Sequence, residues 1–411
     1  MTTLTNKLFR RQIVDLARAG AAVEPRCPHA PPAGQCGGCT FQAIAYPDQV
    51  RAKHQALRSL WADALPPEQV ERIGFVGSPD PFGYRTRMDY VASKERFGLR
   101  RGGKFNYIVE LQECHLLPPH GFAAARAVYE RAMALGLPDY NLRSHEGFLR
   151  YIVVRRSPDD ELLLAAVTAA PDSGGAYAAA LEAVAEHALA QPGVVGFHWL
   201  VNDTRTDISF GRAERYWGAE HLPMRVGART LQIGPNTFFQ NNIHLLMPLL
   251  DAVKEAVEAR LQGAASAAVA DLYGGVGTIA LHIADAASQV ACVESVEESA
   301  LLAARNARAN GCDNVQAVAS DVLPFLSAQE PGAYDVIVAD PPRTGLGPEV
   351  CRELLRLAPE RLVYVSCNPL TQLEDVRALA GGYRLVQLAG YDMFPQTPHL
   401  ESLAVLDRIA G

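Results

Sequence analysis

Cysteine is the side chain best equipped for covalent chemistry in this 411-residue chain, and its eight copies stand in two different contexts. Cys367 sits in Ser366-Cys367-Asn368-Pro369, directly after the apolar run Leu362 to Val365. A strand that runs into so short a turn delivers the thiol to the strand's carboxyl edge, where its thiolate can act as a nucleophile. The competing reading of any single cysteine is a small buried apolar side chain. Cys27, Cys36 and Cys39 read Cys-x8-Cys-x2-Cys among Pro31, Pro32, Gly34, Gly37 and Gly38, residues that let a loop fold back on itself. Several thiols aimed at one centre make a metal site, with Cys114 as a distant fourth ligand. Zinc and an iron–sulfur cluster both accept four thiolates, so spacing leaves the two open, with free structural thiols as a third reading. The spacing is not the Cys-x3-Cys-x2-Cys of radical enzymes, which argues against a radical mechanism. A disulfide framework is not expected in a reducing compartment.

Acidic residues mark the ends of the same apolar runs. Ala270 to Thr278 joins a predicted strand to a predicted helix through Gly274, Gly275 and Gly277, where the backbone turns tightly and lets a ligand approach. Glu294 ends the next strand, where a carboxylate can accept from two ribose hydroxyls, and Asp321 ends the third, a candidate partner for an adenine. A nicotinamide dehydrogenase would share the glycine turn. It has no comparable need for Asp340-Pro341-Pro342-Arg343, a rigid acidic turn after Val336 to Ala339 at the edge where open α/β sheets bind ligands. Glu401, just before the final apolar run Leu403 to Leu406, would alone be an ordinary surface acid.

The elements that must position these residues fall into two styles. Tyr46 to Ala64 has Val50, Leu57, Leu60 and Trp61 at helical spacing and stops at Pro66-Pro67. Phe82 to Leu117 reads as hairpins, and the runs from Leu149 and Glu161 bracket Pro158-Asp159-Asp160 as another. Ala176 to Ala190 predicts a helix, and Val195 to Leu200 and Leu231 to Ile233 predict strands. From Ile243 onward long helices alternate with fully apolar runs, the pattern of buried parallel strands. The expected architecture is α/β: a Rossmann-like doubly wound domain over 236–411 behind an α+β central region, 27–235, that carries the cysteine loop, with 1–26 as an extension. The helix within 46–64 is a candidate to pack on the C-terminal domain.

Bulk composition sets the remaining bounds. With 49% hydrophobic and 20% charged residues the chain has core enough for two or three domains. The net charge of −7 speaks against a generally basic nucleic-acid binder. Local charge differs: Arg85, Arg87, Lys94, Arg96, Arg100, Arg101 and Lys104 outweigh Asp89 and Glu95 and interleave with Tyr90, Phe97 and Phe105. That density suits RNA, and equally an exposed hairpin with solvated charges. No apolar run reaches the roughly 18 residues of a membrane span, and no signal peptide is evident, so a cytoplasmic protein without membrane contact is expected.

Taken together, Phe239-Gln240-Asn241, Asp271-Leu-Tyr-Gly-Gly-Val-Gly277, Asp340-Pro-Pro-Arg343, Ser366-Cys367-Asn-Pro369 and Asp392-Met-Phe-Pro-Gln-Thr-Pro-His-Leu-Glu401 resemble the RNA uracil-C5 methyltransferase family, in that family's order, over essentially the whole chain from Cys27. The resemblance implies S-adenosylmethionine as methyl donor and a [4Fe–4S] cluster on Cys27, Cys36, Cys39 and Cys114. It also implies Cys367 as nucleophile towards uracil C6 and Glu401 as the base that removes the C5 proton. Gln240, Asp340 and Arg343 would contact the uracil, Asp340 through N3–H, and Gln240, Tyr273, Thr278, Glu294, Asp321 and Asp340 the cofactor. The cluster is most simply structural, since methyl transfer moves no electrons. A monomer is expected.

Three departures stand out: the first cysteine interval is longer than the family's common form, position 274 is glycine where Cys, Ser or Ala is frequent, and only 26 residues precede Cys27. So short an N-terminus leaves no room for a small RNA-binding β-barrel and resembles the shorter ribosomal branch, so 23S rRNA is the preferred partner and tRNA the alternative. Two rival functions are cytosine-C5 methylation, whose nucleophile usually follows Pro or Thr, and a redox-sensing RNA-binding protein with an inert rear domain.

Overall fold

The computed structural model describes residues 4–262 and 266–409, with the side chain of Phe105 outside the described residues. Two helices, α1 (Asn6–Ala17) and α2 (Tyr46–Trp61), flank the cysteine loop, and α3 (Pro67–Glu71) leads into a short strand β1 (Gly74–Val76). Thr5 caps α1 by accepting from the Leu8 amide. Phe9, Ile13 and Ala17 of α1 lie on one face and pack with Ala52, Ala56 and Trp61 of α2. Neither α1 nor β1 was expected from the sequence.

The central sheet comprises β2 (Arg87–Ala92), β3 (Phe97–Arg101), β4 (Lys104–Glu110), β5 (Leu149–Arg156), β6 (Leu162–Thr168), β7 (Val194–Val201) and β8 (Arg212–Gly218), in the order β4-β3-β2-β5-β6-β7-β8. Helices α4 (Pro119–Ala134) and α5 (Ala176–Leu189) cover one face, whose core includes all four front cysteines. The pairing is antiparallel except β6 with β7, which α5 joins as a crossover. The hairpin β9 (Leu222–Val226) and β10 (Arg229–Ile233) and helix α6 (Ile243–Leu261) then lead to the second sheet.

That sheet contains β11 (Ala268–Leu272), β12 (Gln289–Glu294), β13 (Val315–Ala319), β14 (Val336–Ala339), β15 (Arg361–Ser366), β16 (Tyr383–Tyr391) and β17 (Glu401–Arg408). The helices between them are α7 (Thr278–His282), α8 (Glu297–Ala309), α9 (Val322–Ser327), α10 (Gly347–Leu357) and α11 (Pro369–Leu379). The strand order is β1-β16-β17-β15-β14-β11-β12-β13, with β11 to β15 parallel and β17 antiparallel to both its neighbours. Alternate residues go to opposite cores. Val336, Val338, Val363 and Val365 face α6, α7 and α8, while Ile337, Ala339, Leu362 and Tyr364 face α9, α10, α11 and the N-terminal pair α1 and α2. Two-sided burial is why these strands read as continuous apolar runs. The expected Rossmann-like α/β fold is present, and the chain before residue 77 adds a strand and three helices to it. Among the described residues no helix is long and apolar enough to cross a membrane.

Candidate active site

The strand register decides which residues meet at the carboxyl end of the second sheet. β15 and β17 pair with Ser366 opposite Ser402, so one step outward sets Cys367 beside Glu401. Leu272 of β11 pairs with Ala339 of β14 and Val293 of β12, which places Tyr273, Asp340 and Glu294 in a row one residue beyond. Four parallel strands and the start of the antiparallel β17 thus bring five separate motifs to one edge.

Polar contacts then lock the turns. The Asn368 amide donates to Ser366 Oγ at 3.1 Å, and Asn368 Nδ2 donates to the Arg343 carbonyl at 2.8 Å, joining the turn after β15 to the turn after β14. Pro369 opens α11, where its missing N–H costs nothing. Ser402 Oγ donates to Gln372 Oε1 at 2.7 Å beneath them. Gln240 arrives from the loop before α6 and donates to Asp340 Oδ2 at 2.9 Å. The central region holds that loop: Thr86 Oγ1 donates to the Gln240 carbonyl at 2.9 Å, and the Ile243 amide to the Tyr84 carbonyl at 3.1 Å.

The segment from Asp392 to Glu401 is strapped from the other side. Lys53 and Asp392, both fully buried, form an ion pair at 2.5 Å, and Tyr46 donates to the second Asp392 oxygen at 3.0 Å. Gln49 exchanges hydrogen bonds with Gln396, whose carbonyl accepts from the amides of Thr40 and Phe41. Gln396 holds φ at 67°, a conformation that side chains other than glycine adopt only when their surroundings impose it. Tyr46, Gln49 and Lys53 were not singled out in the sequence because they are ordinary residues of a helix whose partners lie over 300 positions away.

Burial dominates the electrostatics. Glu401 is 2% exposed, and desolvation together with the nearby Asp340 carboxylate raises its pKa well above the carboxylate range, against the pull of Arg343. Asp340 is raised to about 7 by burial, opposed by its hydrogen bond from Gln240. Cys367 is half-buried and pushed up to about 12, first by desolvation and then by the charges of Glu401 and Asp340, with Arg343 pulling it down. Loss of charge on the carboxyls therefore favours the thiolate, and loss of the thiol proton favours neutral carboxyls. Asp271 behind the glycine turn is raised to about 8 by burial, and one of its oxygens accepts from the Ala280 amide.

Two openings meet at this edge. One, between α6 and the glycine turn, is lined by Phe238, Gln240, Tyr273, Gly275, Thr278 and Asp340. Tyr273 takes φ 62° and Gly277 φ 87° there. Glu294 accepts from the amides of Gly275 at 3.0 Å and Val296 at 2.7 Å. Asp321 lies at the end of β13, exposed, and makes no cap to α9. An added Cβ at Gly274 would overlap the Cys292 sulfur, which accounts for glycine at that position. The second opening exposes Cys367 beside Arg343, His399 and, from α1, Asn6, Phe9 and Arg10. The α1 residues and His399 were not singled out in the sequence, although Asn6, Phe9, Arg10, Ile13 and Ala17 follow helical spacing.

The front cysteines are all buried in one core, where Cys114 raises the pKa of Cys27, Cys36 and Cys39, and Cys27 adds to the rise at Cys36 and Cys39. Cys36 and Cys39 are lifted to about 12, chiefly by desolvation. Gln42 donates to Cys39 Sγ at 3.1 Å and accepts from the Cys27 amide at 2.9 Å. The hydroxyl of Tyr90 and Nε of Arg85 face these thiols yet lack hydrogen bonds of ordinary geometry. Two such orphaned donors suit an acceptor-rich group held among the sulfurs. Among the described residues no group of three or more His, Cys, Asp or Glu side chains is disposed to hold a metal ion.

The basic stretch divides. Arg85 turns inward to the thiols, Arg87 donates to the carbonyls of Pro235 and Ser209, and Arg100 pairs with Asp207 at 2.7 Å. Arg96 and Arg101 stack on Tyr107 at the β3–β4 hairpin, with Lys94 and Lys104 exposed beside them. Tyr90 and Phe97, expected among the interleaved aromatics, are core residues.

The sequence profile of the tRNA (Uracil-5-)-methyltransferase family matches residues 217–409. The chain is 33% identical over 377 residues to the tRNA (uracil(54)-C(5))-methyltransferase of Pyrococcus horikoshii, covering 91% of this chain and 84% of that protein. It is 30% identical over 399 residues to an uncharacterized RNA methyltransferase of Thermotoga maritima, covering 97% and 88%. The crystal structure of the Pyrococcus abyssi tRNA (uracil-54, C5)-methyltransferase in complex with S-adenosyl-L-homocysteine superposes with a TM-score of 0.73 at 31% identity, over 90% of this chain and 85% of that one.

Proposed function

This chain belongs to the S-adenosylmethionine-dependent RNA uracil-C5 methyltransferase family, and on that premise we propose that Cys367 and Glu401 carry its reaction on a uridine of tRNA. The juxtaposition of Cys367 and Glu401 across β15 and β17, beside Asp340 and the glycine turn, supports the assignment most strongly. S-adenosylmethionine, when bound, supplies the methyl group from a sulfonium; Gln240, Tyr273, Thr278, Glu294, Asp321 and Asp340 are the residues assigned to hold it.

Uracil C5 is a weak nucleophile, and the chain's residues change that. The Cys367 thiolate forms a bond to C6, and the displaced π electrons make C5 an enolate carbon with charge on O4, within reach of Arg343. Once C5 carries its methyl group, Glu401 takes the C5 proton, the C5–H electrons restore the C5–C6 double bond, and the C6–S bond breaks to return the thiolate. A carboxylate held far above its ordinary pKa is a strong base when ionised. Asp340, with Gln240 on one oxygen, has the other for uracil N3–H, an atom cytosine lacks. Both ring faces must be reached, so the target is unpaired or flipped out. The central sheet and its Lys94–Lys104 hairpin grip the flanking RNA.

The front thiols are assigned a [4Fe–4S] cluster. Four buried thiols in one core, with the Tyr90 hydroxyl and the Arg85 guanidinium turned towards Cys114, would hold such a group. The names of the relatives favour tRNA over 23S rRNA. Incubating purified protein with unmodified tRNA and 23S rRNA transcripts, then mapping the labelled methyl group, tests the reading. The expected product is 5-methyluridine in tRNA. Label in 23S rRNA alone would change the substrate and keep the chemistry, whereas label in cytidine would overturn it.

A further inference from the structure

The second opening has an unexpected wall. Cys367, Asn368 and Pro369 form one side, Pro398, His399 and Leu400 another, and Asn6, Phe9 and Arg10 of α1 the third. Phe9 is 3% exposed and belongs to the core shared with α2, so α1 is seated by packing and not by chance contact of a free terminus. Its next residue, Arg10, is half-buried at the rim, with Nε donating to the Asn6 carbonyl at 3.1 Å. No acidic side chain among the described residues pairs with Arg10, Lys7 or Arg343. Elsewhere on α1 the cations are matched: Arg11 and Arg18 both face Asp15. His399, between Arg343 and Arg10, is pulled down to about 3 by burial and then by these cations, so it sits neutral beside them.

A guanidinium without a carboxylate partner, that of Arg10, at the mouth of a pocket that ends on a nucleophile calls for an anion brought by the substrate. The carboxylates of this site lie deeper, at Asp340 and Glu401, where Arg343 opposes Glu401, and neither pairs with Arg10. Resting on the reading that a uridine of RNA enters here, we propose that α1 forms part of the target-nucleotide pocket and that Arg10 binds a backbone phosphate flanking the flipped uridine. A uridine whose ring reaches Cys367 leaves its phosphodiester at the opening, where a planar guanidinium can hold two oxygens. Arg10 is therefore a substrate-binding residue, and α1 is RNA-contacting surface supplied from outside the central sheet.

The test separates binding from chemistry. Affinity for a short oligouridylate, measured without cofactor as a function of salt, is compared for wild type, Arg10→Ala, Arg10→Lys and the control Arg18→Ala. Arg10→Ala is expected to weaken binding about tenfold and to lower the slope of log affinity against log salt by about 0.7, one single-strand phosphate. Arg10→Lys should recover the slope, and Arg18→Ala should match wild type. On the methylated transcript, Arg10→Ala should raise KM for RNA and leave kcat at saturating RNA within about twofold. An unchanged slope, or a loss confined to kcat, would overturn the proposal. Failure of wild type to methylate any RNA would instead remove the parent reading, while the salt slope would still decide Arg10.

Discussion

Two thiol centres in this protein share a resting condition and differ in what surrounds them. Cys36 and Cys39 in the front loop and Cys367 at the sheet edge are all pushed up to about 12, with burial as the leading cause. At the front, hydrogen bonds from Gly38 and Gln42 pull down and other cysteines push further up; at the rear Glu401 and Asp340 push up, with Arg343 in opposition. The front thiols are buried in the core of the central sheet, whereas Cys367 opens onto a cavity. A raised thiol pKa therefore does not identify a nucleophile. The surroundings do: further thiols suit a bound metal group, while a base, an arginine and an opening suit turnover.

The sharpest way to break this contrast is to make the same change in both centres. Cys367→Ser should abolish methyl transfer by at least about 10³-fold and leave thermal stability nearly unchanged. Cys39→Ser should lower the yield of folded protein and its melting temperature, along with any cluster absorbance. Comparable activity loss without destabilisation at Cys39 would erase the distinction. Next in size, Glu401→Gln should slow turnover about 10²–10⁴-fold while a methylated Cys367–RNA adduct accumulates on denaturing gels. Disappearance of the adduct would assign the base elsewhere.

The two centres are joined mechanically. Thr40 and Phe41, directly after Cys39, donate to the Gln396 carbonyl, and Lys53 holds Asp392 in the same segment that delivers Glu401. Lys53→Met leaves Asp392 buried without its cation and should destabilise the fold by about 3–5 kcal/mol in chemical denaturation. Smallest is a pH effect. Asp340 titrates near 7 when folded, above its ordinary 3.8. For a carboxyl raised on folding, the stabilising contribution is complete below the ordinary pKa and is lost as pH rises through 7. Asp340→Asn should therefore gain melting temperature relative to wild type on going from pH 5 to pH 8; a constant difference across that range would contradict the shift.

The parallel strands and their acidic or thiol ends were legible because two-sided burial writes continuous apolar runs and because the ends of parallel strands are short, marked turns. Cys367, Asp340, Glu294 and the glycine turn follow from that logic alone. The positions of α1 and β1 were not legible, since three residues of strand and one amphipathic helix carry too little local pattern to reveal a partner hundreds of residues away. The basic stretch misled in part: Arg85, Arg87, Tyr90 and Phe97 share a composition with Lys94 and Arg101, and only the sheet's two faces separate inward from outward. Gly274 looked like a departure, and its cause is the bulk of Cys292 across the next strand.

The central claim is the temporary bond between Cys367 and a uracil ring. RNA carrying 5-fluorouridine at the methylated position blocks removal of the C5 substituent by Glu401. Incubation with enzyme and S-adenosylmethionine, followed by denaturation, digestion and peptide mass analysis, should give one nucleotide-bearing peptide modified at Cys367. Recovery of only dissociable RNA, or of the adduct on another cysteine, would contradict the account.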